Sequence, residues 1–381
     1  MVKKIGHQLI RIFQRLLWVF PINTHKVFIV SYYGQGYGGN GKYIAEALKE
    51  ISPKFTIYWP VRENVDTSSF PESIKVIHYY SLPFFYHLAT SGTWISNVRL
   101  PWFFEKRKKQ YYIQAWHGSN ALKRVEMDAE DAIAPRYLKS AKHDAEISDL
   151  MISNSDSWTK LIRRSFWYDG EILECGTPRL KAIYEDRQIN RFNILKQLGL
   201  EEDINILLYA PTFRADFGLE HYTLDFDEVR KNCEKKFGGK WVTAIRLHPN
   251  LKGEDITDLT GEDVLDLSDY PDIYKILSAT RMLITDYSGV MFEACAIGID
   301  VILYADDIED YTSDRGFYFD LKELPFPLAE TNEQLIQIIK EWDEEAYRRG
   351  VKKLIDDIGL KEDGKGAEAV ARKIISHWDN N

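Results

Sequence analysis

Three cysteines in 381 residues, Cys175, Cys233 and Cys295, are too scattered, and odd in number, to form a disulfide framework or a metal-ligand cluster. That usage fits a reducing compartment. No apolar run approaches the ~18–20 residues of a membrane-crossing helix, and no internal repeat or low-complexity tract is present. Positive charge is also short: 49 Lys and Arg against 58 Asp and Glu leave a net charge of −9. With a pI of about 5.6, nucleic acid is excluded as a partner for the surface as a whole. What remains is 45% hydrophobic and 28% charged, ordinary for a globular protein, with room for two domains at ~100–200 residues each.

The N-terminus does not read as a signal peptide, because Arg11 and Arg15 interrupt any apolar core and no small-residue cleavage site follows. On a helical wheel Ile5, Leu9, Ile12, Phe13, Leu16, Leu17 and Phe20 share one face, with Lys4, Arg11 and Arg15 opposite and Pro21 as the stop. Such a helix either packs on its own domain or lies on an anionic membrane surface. The membrane surface is the partner expected of residues 1–22.

Past this segment β-like runs alternate with helical stretches: "KVFIVSYY", "FTIYWP", "IKVIHYY", "TWISN", "YYIQAWHG", "LMISNS" and "ILECG". A charged passage, "KAIYEDRQINRFNILKQLGL", precedes a second series: "NILLYAPTFR", "WVTAIRLHPN", "VLDLS", "RMLITDYS" and "DVILYA". Each series predicts a mainly parallel sheet covered by helices. The expected organisation is α/β, with Rossmann-like domains at 23–185 and 195–355 facing a central cleft, and a C-terminal helix at 356–381.

Ligands of open α/β sheets bind past the carboxyl ends of strands, so the residues there carry the functional reading. Gly34-x-Gly36-x-x-Gly39 resembles a dinucleotide fingerprint, but the next strand ends in Trp59-Pro60 without the acid that would hold a ribose. A flexible loop bordering an acceptor is the better reading. In "QAWHGSNALKR" a strand closes on His117-Gly118, and a neutral imidazole there can take a proton from an attacking hydroxyl near pH 7. The loop that follows, with Gly118, Ser119, Asn120, Ala121 and Lys123, is counted with the substrate-binding residues. "RLHPN" repeats the arrangement with Arg246, His248 and Pro249, the proline stiffening the turn. "APTFR" supplies Thr212 and Arg214, and "CGTPR" supplies Arg179.

The stretch "MLITDYSGVMFEACAIGIDVILYADD" is strand, polar turn, helix, strand. N–H groups of Ser288, Gly289 and Val290 open the helix and suit a phosphate. Glu293, one turn in, suits ribose hydroxyls, and Asp286 is expected to brace the turn. Phosphate beside ribose means a nucleotide, and the Arg and His set suggests a diphosphate whose bond breaks. No paired carboxylates or DxD-like acids stand at these strand ends, so neither metal nor cofactor is expected.

"QAWHGSNALKR", "YAPTFR", "RLHPN" and "ITDYSGVMFEA" resemble the signature blocks of the CDP-glycerol glycerophosphotransferase family, the teichoic-acid glycerol- and ribitol-phosphate transferases of bacteria. "VSYYGQGYGGNGKYIAEAL" and "SDRGFYFDLKELPFP" are similar to its first and closing blocks. The resemblance implies a GT-B fold and transfer of an alditol phosphate from CDP-glycerol or CDP-ribitol to a polyprenyl-diphosphate-linked acceptor at the cytoplasmic face of the membrane, with release of CMP. It implies His117 as general base, and Arg179, Thr212 or Arg214, His248, Ser288, Gly289, Val290 and Glu293 around the CDP-alditol donor; His248 is also counted as catalytic with His117. The chain departs from the commoner patterns in a His117 block one residue longer and in Gly289 where a second serine is usual. A nucleotide-sugar glycosyltransferase and a non-catalytic module binding a nucleotide or lipid headgroup are the alternatives.

Overall fold

The computed structural model describes residues 2–118, 120–184, 187–214, 222–247, 251, 256, 263–308 and 316–380. The chain divides into two compact units. The first comprises Met1–Ser119, Val125–Lys181 and Leu360–Asn381, and the second Asn120–Arg124 and Ala182–Gly359. The expected boundaries set residues 356–381 apart; here the stretch from Leu360 onward belongs with the first unit.

In the first unit the apolar runs form β1 (Asn23–Val30), β2 (Thr56–Val61), β3 (Ile74–His78), β4 (Ser91–Ser96), β5 (Tyr111–Gln114), β6 (Leu150–Ser153) and β7 (Glu171–Glu174). They pair in parallel in the order β3-β2-β1-β4-β5-β6-β7. In the second unit β8 (Asn205–Tyr209), β9 (Trp241–Ile245), β10 (Val264–Asp266), β11 (Thr280–Thr285), β12 (Asp300–Tyr304) and β13 (Leu328–Ala329) pair in parallel as β10-β9-β8-β11-β12-β13. Strands β4, β5, β6 and β12 are buried at every residue, as parallel strands covered on both faces must be. At the edge, β7 carries glutamates at both ends, which discourages pairing with a foreign strand. Both orders reverse direction at one place, between β1 and β4 and between β8 and β11. A doubly wound sheet opens its ligand crevice past the carboxyl ends of such strands.

The N-terminal helix, Val2–Leu16, corrects the single apolar face read from the wheel. Ile10, Phe13 and Leu17 pack on the core of Phe28, Phe84, Trp94, Phe104 and Tyr112. Gln14 is buried between them, donating to the Phe103 carbonyl at 2.8 Å and accepting the Glu105 N–H at 3.2 Å. Arg11 and Arg15 both bind Glu105, at 2.7 and 2.6 Å, so the basic side is tied to the protein. Leu9, Ile12 and Leu16 stay 60%, 56% and 68% exposed, a second stripe that the unit does not cover. No helix among the described residues is long and apolar enough to cross a membrane.

The C-terminal helix Gly366–Asp379 lies against the helix Gly39–Ile51. Trp378 Nε1 donates to Thr93 Oγ1 at 2.9 Å, and His377 stacks on Tyr111 at 3.9 Å. Just before it, Glu362 accepts the Thr177 N–H at 2.9 Å and the Asn154 amide at 2.9 Å. Thr177 is buried, so removing its acceptor strands an N–H. Glu362→Ala is therefore expected to lower the unfolding free energy by about 1–3 kcal/mol, read from urea denaturation; an unchanged midpoint rejects the tie.

Candidate functional site

In the first unit the site starts with backbone that ordinary residues avoid. Tyr32 and Tyr33, just past β1, have φ of 44° and 54°, and Trp116, just past β5, has φ of 47°. Such strain persists only where neighbours over-determine it. The Asn97 side chain, past β4, accepts the Tyr32 N–H at 2.8 Å and donates to Ser31 Oγ at 3.1 Å. Its backbone carbonyl stands 2.9 Å from His117 Nδ1. Asn40 donates to the carbonyls of Ala115 and Trp116 at 2.8 and 3.0 Å and accepts the Arg179 N–H at 3.3 Å. The Arg179 guanidinium donates to the His117 carbonyl at 2.7 Å. The glycine-rich loop expected to border an acceptor thus leads, through Asn40, into a clamp on the main chain around His117.

A carbonyl can only accept, so His117 Nδ1 carries the proton and Nε2 holds the lone pair. Dense protein around the ring and, after it, the cations Arg179 and Arg99 push the imidazole down from its ordinary value to about 4, against the pull of the Asn97 carbonyl. The side chain nevertheless keeps an exposed face. Geometry and charge agree that the ring is neutral at pH 7, which is the state a general base requires.

In the second unit Asp286 answers for the turn after β11. It is buried, accepts the Thr212 N–H at 2.8 Å and the Tyr287 N–H at 2.6 Å, takes the Thr212 hydroxyl, and meets Arg214 at 2.9 Å. Arg214, 7% exposed, also binds both oxygens of Asp307 at 2.6 and 3.1 Å. Burial opposes its charge, but Asp286 and Asp307 outweigh it and raise the pKa. Tyr287 closes the ring, its hydroxyl donating to Asp307 at 2.8 Å. Thr212 and Arg214, expected around the donor, brace this turn with these groups. Arg246 is likewise committed, donating to the carbonyls of Leu267 and Tyr270 at 2.7 and 2.6 Å.

Ser288, Gly289 and Val290 open the helix Val290–Ala296, with Ser288 Oγ 3.4 Å from the Val290 N–H. Gly289 has φ of −60°, and a Cβ there would meet only the Asn120 carbonyl at 3.9 Å. Neither backbone nor packing demands glycine; the position leaves room. Glu293 is buried and accepts the Tyr274 hydroxyl at 2.6 Å. Tyr274 lies in the first turn of the helix Ile273–Ala279, whose N-cap is Asp272, a partner that no apolar pattern reveals.

Asn120–Arg124 is counted with the second unit. The Leu122 carbonyl accepts the Tyr318 N–H at 2.8 Å, the Gly316 carbonyl accepts the Arg124 N–H at 3.1 Å, and Lys123 pairs antiparallel with Phe317. Asn120 is buried at φ 55°, while Ala121 and Lys123 are half-buried. Gly118 and Arg179 stay with His117 in the first unit. Ser119, His248 and Pro249 lie outside the described residues. Among the described residues no group of three His, Cys, Asp or Glu stands together as a metal site.

Two doubly wound parallel sheets with polar residues at their switch points define the GT-B class of transferase fold. A solved structure of the wall teichoic acid polymerase TagF superposes with a TM-score of 0.83 at 25% identity, covering 100% of this chain and 98% of that one. The sequence matches the CDP-Glycerol:Poly(glycerophosphate) glycerophosphotransferase family over residues 12–376, and the chain belongs to that family. It is 29% identical to the teichoic acid poly(glycerol phosphate) polymerase of Bacillus subtilis, over 93% of this chain and 49% of that protein. It is 28% identical to the teichoic acid glycerol-phosphate transferase of Staphylococcus aureus, over 98% of each. The chain thus spans about half the length of the Bacillus subtilis polymerase and nearly all of the Staphylococcus aureus transferase. Its relatives are enzymes of teichoic acid synthesis.

Breaking the Arg214 pair leaves Asp286 buried without its cation. Arg214→Ala is expected to destabilise the protein by about 3–5 kcal/mol, seen in chemical denaturation. A variant of unchanged stability that has merely lost nucleotide affinity reverses this assignment.

Proposed function

We propose that this protein transfers glycerol phosphate, or alternatively ribitol phosphate, from a CDP-alditol donor to a hydroxyl of a polyprenyl-diphosphate-linked acceptor. The observation that carries the reading is the neutral His117, its Nδ1–H spent on the Asn97 carbonyl and its Nε2 left as a proton acceptor. The acceptor oxygen attacks the phosphorus that bears the alditol while Nε2 takes its proton. An O–P bond forms, the diphosphate P–O bond breaks, and CMP leaves. Positioning and electrostatics carry such a step. The N–H groups at Ser288, Gly289 and Val290 serve the donor phosphate, and Glu293, with Tyr274 beside it, serves the ribose. With Arg214 and Arg246 held in their turns, His248 and the cation Arg179 are the side chains proposed to meet the leaving nucleotide. A TagF variant has been solved after a soak with CDPG, which supports CDP-glycerol as donor. Relatives that use ribitol, such as a ribitol-phosphate primase 27% identical over 94% of this chain, keep the other alditol in view.

The chain incubated with CDP-glycerol, CDP-ribitol and UDP-sugars, each with a lipid diphosphate acceptor, is expected to release CMP from one CDP-alditol. Release of a nucleoside diphosphate from a UDP-sugar instead identifies a glycosyltransferase. His117→Ala is expected to reduce turnover by about 10²–10⁴-fold with donor binding retained; near-normal turnover removes the base.

The same reading sets the enzyme peripherally on the cytoplasmic membrane face. Leu9, Ile12 and Leu16 on the uncovered stripe, with exposed Val19, Leu82 and Tyr86 on the same unit, support it. Arg11 and Arg15 are not the contact, being tied to Glu105. Replacing Leu9, Ile12 and Leu16 by Asn spares the packed face. That triple variant should bind phosphatidylglycerol vesicles at least about tenfold more weakly while keeping its circular dichroism. Equal cosedimentation with the unaltered protein argues against the membrane role.

A further inference from the structure

We propose that Gln114 is a positioning residue for His117: held by the buried Asp144, its side-chain carbonyl fixes the Trp116 N–H in a left-handed turn and so sets how the imidazole is presented. The inference deepens the proposed base role of His117 and rests on it. Trp116, at φ 47°, occupies backbone space that bulky residues rarely adopt. Its N–H donates to Gln114 Oε1 at 3.0 Å. Gln114 is fully buried, and the two N–H of its Nε2 are shared among Asp144 Oδ2 at 2.8 Å, the Tyr112 hydroxyl at 3.0 Å and the Val98 carbonyl at 3.1 Å. Those acceptors settle which end of the amide faces Trp116, because an inverted amide would point its oxygen at a carboxylate and a carbonyl.

Asp144 is itself fully buried and fixed by the Leu100 N–H at 2.8 Å, the Tyr112 hydroxyl at 2.7 Å and Arg99 at 3.1 Å. Arg99 also binds Glu126 at 3.0 Å, and its guanidinium lies 5.2 Å from the Trp116 ring centroid. The Trp116 ring in turn lies 4.4 Å from that of His117. Main chain and side chain of residue 116 are thus held by one buried network. The imidazole is the next group along the chain.

The test uses the full chain labelled with ¹⁵N-histidine, with His117 signals identified by their loss in His117→Gln. Gln114→Met keeps the volume and removes the acceptor. It is expected to turn the single Nδ1–H tautomer of His117 into a mixture and to lower kcat at least about tenfold, with the donor KM unchanged. Gln114→Glu, its carboxyl protonated against Asp144, keeps one donor and one acceptor and is expected to recover most of kcat. A folded Gln114→Met protein with unaltered kcat and an unaltered His117 spectrum overturns the proposal, as does a fall in kcat without spectral change. Should Gln114→Met fail to fold, Tyr112→Phe carries the test, since it removes one bond from Asp144 and one from Gln114. A lower kcat with an altered His117 spectrum upholds the clamp, and no change in either overturns it. If His117→Ala keeps its turnover while Gln114→Met still alters the His117 tautomer, the clamp stands and the base role falls.

Discussion

A carboxylate taken out of water must be given donors in return, and at each strand-end turn that matters here one buried or half-buried acid collects them. Asp144 takes a backbone N–H, a phenol, an amide and a guanidinium. Asp286 takes two backbone N–H groups, a hydroxyl and a guanidinium. Glu362 takes a backbone N–H and an amide beside the turn that carries Arg179. Charge-assisted bonds of this kind are stronger than neutral ones, and losing any donor leaves charge uncompensated. That asymmetry lets polar turns stand rigid past the ends of apolar strands, where a reaction needs fixed groups.

The division of labour among the cations follows. An arginine bound to two acids is a brace, because moving its guanidinium toward a ligand would abandon both. Arg214 is in that position, and Arg246 is held more lightly by two carbonyls. Arg179 differs, since its guanidinium donates to the carbonyl of His117, and so couples a cation to the residue proposed to act. Repulsion between that cation and a protonated ring is one reason the imidazole stays neutral. The same arginine thus steadies the main chain and shapes the charge state of the imidazole.

The strands were legible in the sequence because parallel strands buried on both faces are continuous apolar runs. Seven quoted runs correspond to the first sheet and five to the second. The missing one, β13, is two residues long, too short for any periodicity. The placement of His117, Ser288 and Glu293 near strand ends was also legible, since strand-then-polar-turn is a local pattern. Their partners were not. Asn40 reaches carbonyls 75 and 76 residues away, Asp286 reaches back 74 residues to Thr212, and Asp144 lies 30 residues from Gln114. Hydrogen bonds across such separations leave no periodic trace. The acids that pair with Arg214, Asp286 and Asp307, lie 72 and 93 residues beyond it, so the sequence pattern around Arg214 alone does not reveal them.

The N-terminal helix shows a limit of another kind. Its inward residues, Ile10, Phe13, Gln14 and Leu17, follow spacings of three, one and three; its outward ones, Leu9, Ile12 and Leu16, follow three and four. At 3.6 residues per turn the two sets lie about 100° apart. A wheel merges them into one broad apolar face, and the polar Gln14 hides the inner one. Only the inward set is needed to dock the helix, and Gln14 with Glu105 fixes its register there. Folding alone does not explain the outward aliphatic residues: on a helix already anchored and charge-paired, they add apolar surface in water with no return unless something else covers it.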